Sequence, residues 1–396
     1  MIRDDAMSMT RYWPRFTREG FENSVAPIDY LEWYIPRLQE ERKHNLSFSG
    51  MQFDWDFTEL LGDSVDKLGK TFFGDIEDPR ETIAKRENVE LENVLITNGA
   101  TQGINIALLT AIAKIRDNVN GKITVAVESP TYAPIPQTAL ILADEVIRID
   151  KSPPTNGIGH WRIDYSEWQA AIEKSQIIMI TPISNPCGWN LHPEDMDWII
   201  EQARINDVII IADEAYNDAY MHTENYRSIH SFGENCISIN SLTKVYSLGP
   251  IRFGWLIAEK ETIAIARSIF MTFSGVMSSP TMRIAAKVMK QLDTVDDAIE
   301  QYRKANLPIL RNVLQKHGII WNEPPAGVFG CFELPNNINS EYFVDYFCKA
   351  NDLLAVPGSM FSDKMISWVR VAWSIEPKQF ELAVKALDKS LNSALN

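Results

Sequence analysis

Between Asn93 and Ala258 the sequence sets short, wholly apolar runs against amphipathic helical stretches, and few folds accept that alternation. Val94-Leu-Ile leads into a helical stretch from Gln102 to Ile115, and Ile123 to Val127 leads into one from Thr131 to Ala143. Ile177 to Thr181 is followed by a helix from Pro193 to about Asn206, and then by Val208 to Asp213. Cys236 to Asn240 and Phe253 to Ala258 are further strand candidates. A strand without polar alternation has no face to give to water, so both of its faces must be covered. The pattern predicts an α/β fold with a mostly parallel sheet and helices on both sides. In such sheets ligands bind beyond the carboxyl ends of the strands, and functional residues are expected there.

After about Thr281 the texture changes. Helical stretches from Met282 to Leu292 and Thr294 to Lys316 precede short strands at Val328 to Glu333 and Trp368 to Ala372, with a last helix from Pro377. This predicts a smaller α+β domain. Near the start, Tyr12, Trp13, Phe16, Phe21, Tyr30, Trp33 and Tyr34 crowd a segment without clean periodicity. It is expected to be an arm whose rings need a covering surface, such as a second subunit. The predicted organisation is 1–48 as the arm and part of the small domain, 49–280 as the large domain, and 281–396 as the rest of the small domain.

Charge narrows the choice of partner. The chain carries 38 Lys+Arg against 53 Asp+Glu, a formal net charge of −15, with no basic block. Such a chain repels nucleic-acid backbones and anionic lipid surfaces, so neither is expected as a partner. Cys187, Cys236, Cys331 and Cys348 form no CxxC pair, and the 6 histidines show no metal-ligand spacing. His222 and His230 are expected to be solvated. The amino-terminal residues lack the apolar stretch of a signal peptide, and runs such as Val208 to Ala212 fall far short of the roughly 20 residues of a membrane span. A cytoplasmic protein with reduced thiols and no metal is expected.

Four polar features fall where the strands should end. Thr97-Asn-Gly-Ala-Thr-Gln-Gly103 joins a strand to an apolar helix; it reads either as an anion cup or as a plain turn with Thr101 near the cap. Ile183-Ser-Asn-Pro-Cys-Gly188 taken alone is a turn. In Ile211-Ala-Asp-Glu-Ala-Tyr216, Asp213 closes a very apolar strand, capping something structural or facing a cation. The last feature runs from Asn240 through Ser241, Lys244 and Arg252 to Gly254. A lone lysine is usually solvated. Here its neighbours are small or apolar, so Lys244 is expected to be partly desolvated, with its amine pKa lowered toward nucleophilic use. Ser241 and Arg252 suit a phosphate ester.

As an ordered set, these motifs resemble the class I/II aminotransferases, enzymes of fold type I that use pyridoxal 5′-phosphate (PLP). The resemblance runs from about Leu91 to the carboxyl end and includes Ser129-Pro-Thr-Tyr and Arg370. It implies that Lys244 attaches to the cofactor aldehyde and later moves a proton, while Asp213 pairs with the ring nitrogen. It implies Asn185 and Tyr216 at the phenolic oxygen, Tyr132 on the ring face, and Gly99, Ala100, Thr101, Ser241 and Arg252 around the phosphate. Arg370 matches the grip on the substrate α-carboxylate, a task for which a guanidinium fork suits better than lysine; Asn185 would assist it. Gly50 stands as the counterpart of a substrate-touching loop. The implied fold is that of aspartate aminotransferase, and the implied assembly a homodimer.

The resemblance has weak points. Cys187 stands where the family commonly has Thr. Phe72 or Phe73 replaces a Tyr that usually reaches the neighbouring subunit's cofactor phosphate. The amino-terminal third is nearer to divergent members such as capreomycidine synthase. The expected reaction is transfer of an amino group from an L-amino acid to a 2-oxo acid. A PLP-dependent lyase or cyclase shares the same cofactor residues and is the first alternative; a non-catalytic ligand-sensing domain is a distant one.

Overall fold

The computed structural model describes residues 28–70, 77–116, 121–154, 157–220 and 227–395. The apolar runs become the inner strands of an eight-stranded sheet: β2 (Val94–Thr97), β3 (Thr124–Ser129), β4 (Glu145–Ser152), β5 (Arg162–Ile163), β6 (Ile177–Ile180), β7 (Ile209–Asp213), β8 (Cys236–Ser241) and β9 (Gly254–Ile257). Their order is β2-β9-β8-β7-β6-β3-β4-β5. Strands β8, β7, β6, β3 and β4 run parallel. β9 opposes both its neighbours, and β5 opposes β4 at the edge.

Successive residues on a strand point to opposite faces, and the two faces bury separate cores. Ile177, Met179, Ile209 and Ile211 join the cluster that includes Ile104, Leu108 and Ile112 of α4 (Ala100–Ile115) and Ile263 and Phe270 of α8 (Lys260–Ser274). Ile178, Ile180, Ile210 and Ala212 meet Trp168 of α6 (Tyr165–Ile172) and Met196 and Ile199 of α7 (Pro193–Ile205). Helix α5 (Pro134–Leu142) packs on β3 and β4, while α2 (Phe57–Leu61), α3 (Pro79–Glu87) and α9 (Ser279–Val288) complete this part.

A three-stranded antiparallel sheet, β10 (Phe329–Glu333), β13 (Trp368–Ala372) and β12 (Val356–Pro357), anchors the third core, with α11 (Ser340–Tyr342) and α12 (Pro377–Leu395) around it. Helix α10 (Asp293–Lys316) joins two cores: Val295 and Ile299 belong to the large one, Leu307, Leu310 and Leu314 to the third.

One expectation is corrected. Tyr30 and Trp33, on α1 (Asp29–Leu38), need no second subunit to cover them: both are buried in the third core of their own chain. The Arg37 guanidinium pins α1 there by donating to both carboxylate oxygens of Asp345, at 2.9 and 2.7 Å. β1 (His44–Asn45) pairs in parallel with β11 (Leu353–Leu354). Tyr12, Trp13, Phe16, Phe21, Phe72 and Phe73 lie outside the described residues.

Candidate active site

At the carboxyl ends of the parallel strands lies a cavity of about 110 Å³. The apolar packing of β7 stops at Asp213, the one residue of that strand not fully buried. β6 leads to the turn carrying Asn185, and β8 to the loop carrying Lys244. Ala100, Thr101, Tyr132, Asn185, Asp213, Tyr216, Ser241, Lys244 and Arg252 all line the cavity. The strands deliver them from distant sequence positions to one place.

Lys244 and Asp213 set the electrostatics. Burial, followed by repulsion from Arg370 and set against attraction to Asp213, brings the Lys244 amine from 10.5 down to about 8. Its Nζ donates to Ser49 Oγ at 2.7 Å. Burial pushes the Asp213 carboxyl from 3.8 up to about 6, opposed by the Ala215 N–H at 3.1 Å and by Lys244. At neutral pH Asp213 is therefore an anion, and a neutral Lys244 is within easy reach. Burial also holds the Tyr132 and Tyr216 phenols well above their usual range, so both remain O–H donors.

The turn that opens α4 depends on glycine. Gly99 has φ +82°, and a Cβ there would lie 2.5 Å from an Arg252 guanidinium nitrogen. Arg252 itself sits at φ 54°, a left-handed conformation that costs a non-glycine residue about 1–2 kcal/mol. Its guanidinium donates to Asn98 O at 3.2 Å and Gly249 O at 3.4 Å, and its side chain is solvent-exposed. The first turn of α4, with Ala100 and Thr101, lines the same cavity, and the first N–H groups of a helix have no partner within the helix. Ser241 Oγ accepts from Thr243 N at 3.3 Å, while Thr243 Oγ1, buried at the cavity wall, has no partner among the described residues.

Arg370 is fully buried at the join of three segments. It donates to Asn185 Oδ1 at 2.8 Å and to Ser47 O at 2.5 Å, and its Nε has no partner among the described residues. Gly50 lies against the backbone of Lys244. A Cβ there would be 2.6 Å from the Lys244 carbonyl oxygen, which accepts from Met51 N at 2.8 Å. Gly50 thus permits a close backbone approach next to Lys244.

The aminotransferase class I and II family model matches residues 71–387. The chain belongs to that family. An aspartate aminotransferase of Pyrococcus horikoshii is 22% identical over 313 residues, covering 77% of this chain and 76% of that protein. An aromatic-amino-acid aminotransferase of Thermococcus litoralis is 23% identical over 313 residues, covering 75% and 76%. Among solved structures, the PLP-dependent cyclase OrfR superposes with a TM-score of 0.78 at 18% identity, covering 97% of this chain and 99% of that one.

As a class I/II aminotransferase the chain is a PLP-dependent enzyme. Its residues fit that cofactor: an unpartnered buried hydroxyl and a guanidinium beside a helix start for a phosphate, a carboxylate for a ring nitrogen, and a partly desolvated amine for an aldehyde. Sequence reasoning missed Ser47, Ser49 and Thr243. The hydroxyl residues next to Gly50 and inside Ser241-Leu-Thr-Lys were visible but common. His230 corrects another expectation: it is half-buried, its Nδ1 lies 2.6 Å from Ser228 Oγ, and burial lowers its pKa. His222 lies outside the described residues.

Proposed function

We propose that this aminotransferase moves an amino group from an L-amino acid to a 2-oxo acid, and that it works as a cytoplasmic homodimer. The observation that carries the reading is one cavity in which an amine of pKa about 8, a partly buried carboxylate and a phosphate-suited cup converge, with a buried arginine bonded to the Asn185 that lines it. Bound there, PLP supplies the electron sink and the carrier for the amino group. Arg370 and Asn185 bind and orient the substrate α-carboxylate. Lys244 Nζ, neutral in a useful fraction near pH 8, holds and returns the proton of the substrate Cα. Asp213 keeps a negative charge at the cavity floor, and Tyr216 offers its O–H beside Asn185. Ala100, Thr101, Ser241, Thr243 and Arg252 hold the phosphate.

The dimer reading is supported by an apolar surface beside α4. Ile141, Met271, Phe273 and Val276 are all exposed and border grooves that include Gln102 and Met277. The acidic net charge and four free, buried cysteines support a reduced cytoplasmic setting.

Addition of an amino donor to the purified holoenzyme tests the reaction. Transamination releases the matching 2-oxo acid and leaves the cofactor in its amine form. Release of ammonia, or of a cyclised product, with the original spectrum restored would establish a lyase or cyclase and overturn the reading.

A further inference from the structure

The segment that follows β1 touches both Arg370 and Lys244. Ser47 O accepts from the Arg370 guanidinium at 2.5 Å, and Ser49 Oγ accepts from Lys244 Nζ at 2.7 Å. Phe48, between them, packs against both the large core and the third one. The backbone around Ser49 is fixed by bonds that do not use its side chain. Met51 N donates to Lys244 O at 2.8 Å, Gln52 N to Ser374 O at 3.0 Å, and Phe53 N to Ser247 Oγ at 3.1 Å. Ser374 Oγ donates to Gly50 O at 2.8 Å. The Ser49 hydroxyl is thus held at the amine by its neighbours on both sides.

Lys244 Nζ is a free amine whenever the substrate, and not the lysine, is joined to the cofactor. In the proton transfer the substrate Cα–H bond breaks, its proton joins the Nζ lone pair, and its electron pair passes to the sink that PLP supplies. Nζ is then an ammonium, with three donors and no acceptor. The charged groups that face it are Asp213, which attracts, and Arg370 and Arg252, which repel. Ser49 Oγ is the hydrogen-bond acceptor that Nζ finds among the described residues. A hydrogen bond to a charged donor is roughly twice as strong as a neutral one. The hydroxyl therefore favours Nζ more after it has taken the proton than before, which is what lowers a barrier.

We infer that Ser49 is a positioning residue for the reaction: its hydroxyl holds the free Lys244 amine while that amine carries the substrate Cα proton, between taking it and returning it. This rests on the proton-moving role given to Lys244 above. Ser49→Ala removes the hydroxyl and none of the backbone bonds, and Ser49→Thr keeps the hydroxyl. In the apo-proteins the rate of PLP capture follows the neutral fraction of Lys244. Its midpoint should fall from about 8 in the wild type toward about 7 in Ser49→Ala, because a bond to the charged form is lost while Asp213, Arg370 and Arg252 stay. In the holoenzymes, exchange of the substrate Cα proton in D2O, read by NMR at saturating amino acid, should slow about tenfold in Ser49→Ala with KM within about twofold. Ser49→Thr should keep the wild-type midpoint and an exchange rate within about threefold. An unmoved midpoint or full-rate exchange in Ser49→Ala, a loss expressed in KM, or a Ser49→Thr enzyme as slow as Ser49→Ala would overturn the inference. Transamination, elimination and cyclisation all begin with loss of that proton. If no donor yields a 2-oxo acid, the transamination reading falls, and the capture midpoint and exchange rate still decide what Ser49 does.

Discussion

Asp213→Asn should cost the enzyme its activity and make the apo-protein more stable. Burial raises the Asp213 carboxyl from 3.8 to about 6. Between those values the folded state holds more protons than the unfolded one, so stability falls as pH rises from about 4 to about 6 and stays lower above. At 1.36 kcal/mol per decade the full loss is about 3 kcal/mol; the carboxylate lines an open cavity, and water there reduces it to about 2 kcal/mol. Asparagine keeps the shape and can still accept from the Ala215 N–H, but carries no charge. The opposing effect is on Lys244, whose protonated form loses its anionic neighbour; at pH 9 that amine is mostly neutral in both proteins. Urea unfolding of the two apo-proteins from pH 4 to pH 9 should give curves that converge at the acid end. At pH 9 the variant should be ahead by about 2 kcal/mol. PLP should then stabilise the wild type more than the variant. Equal stability at pH 9, or a weaker variant, would refute the claim that this carboxylate is held against a desolvation cost.

Borohydride reduction of the holoenzyme followed by peptide mapping should place the cofactor on Lys244, and a label on another lysine would sink the assignment. Arg252→Ala should weaken PLP binding by about 2 kcal/mol, as read by equilibrium titration. Gly99→Ala should also lower PLP affinity, because its Cβ would push on the Arg252 guanidinium from 2.5 Å away; unchanged affinity would show that the cup tolerates a side chain. Phe273→Glu should shift the sedimentation coefficient toward that of a monomer, and an unaltered dimer would move the interface elsewhere.

The strands that read clearly from the sequence are those buried on both faces: Ile177–Ile180 and Ile209–Ala212 have no polar residue to confuse the period. β4 escaped because it lies near the sheet edge and mixes Glu145, Arg148, Asp150 and Lys151 with its apolar residues. Lys151 is nevertheless 3% exposed, since it meets the buried Glu128 at 2.9 Å. Nothing in the spacing of 128 and 151 reveals that pairing before β3 and β4 are set in register. The site divides in the same way. Lys244, Asp213 and Arg252 stand at strand ends, where topology alone directs attention. Ser47 meets Arg370, Ser49 meets Lys244 and Tyr30 packs behind Tyr132 only because the segment before residue 51 packs on the last third of the chain, a tertiary event with no local signal.

That packing has a consequence for the nascent chain. Arg37 and its partner Asp345 are 308 residues apart. At roughly 5–20 residues per second, α1 leaves the ribosome roughly 15–60 s before the segment that covers it exists. The strands between 94 and 257 can meanwhile close their own sheet. Tyr30 and Trp33 therefore spend most of translation as exposed adhesive rings, and a ribosome stalled before residue 340 would present them to any chaperone nearby. A circular permutant that moves residues 28–46 behind α12 would abolish that interval, because the covering segment would already be made when these residues emerge.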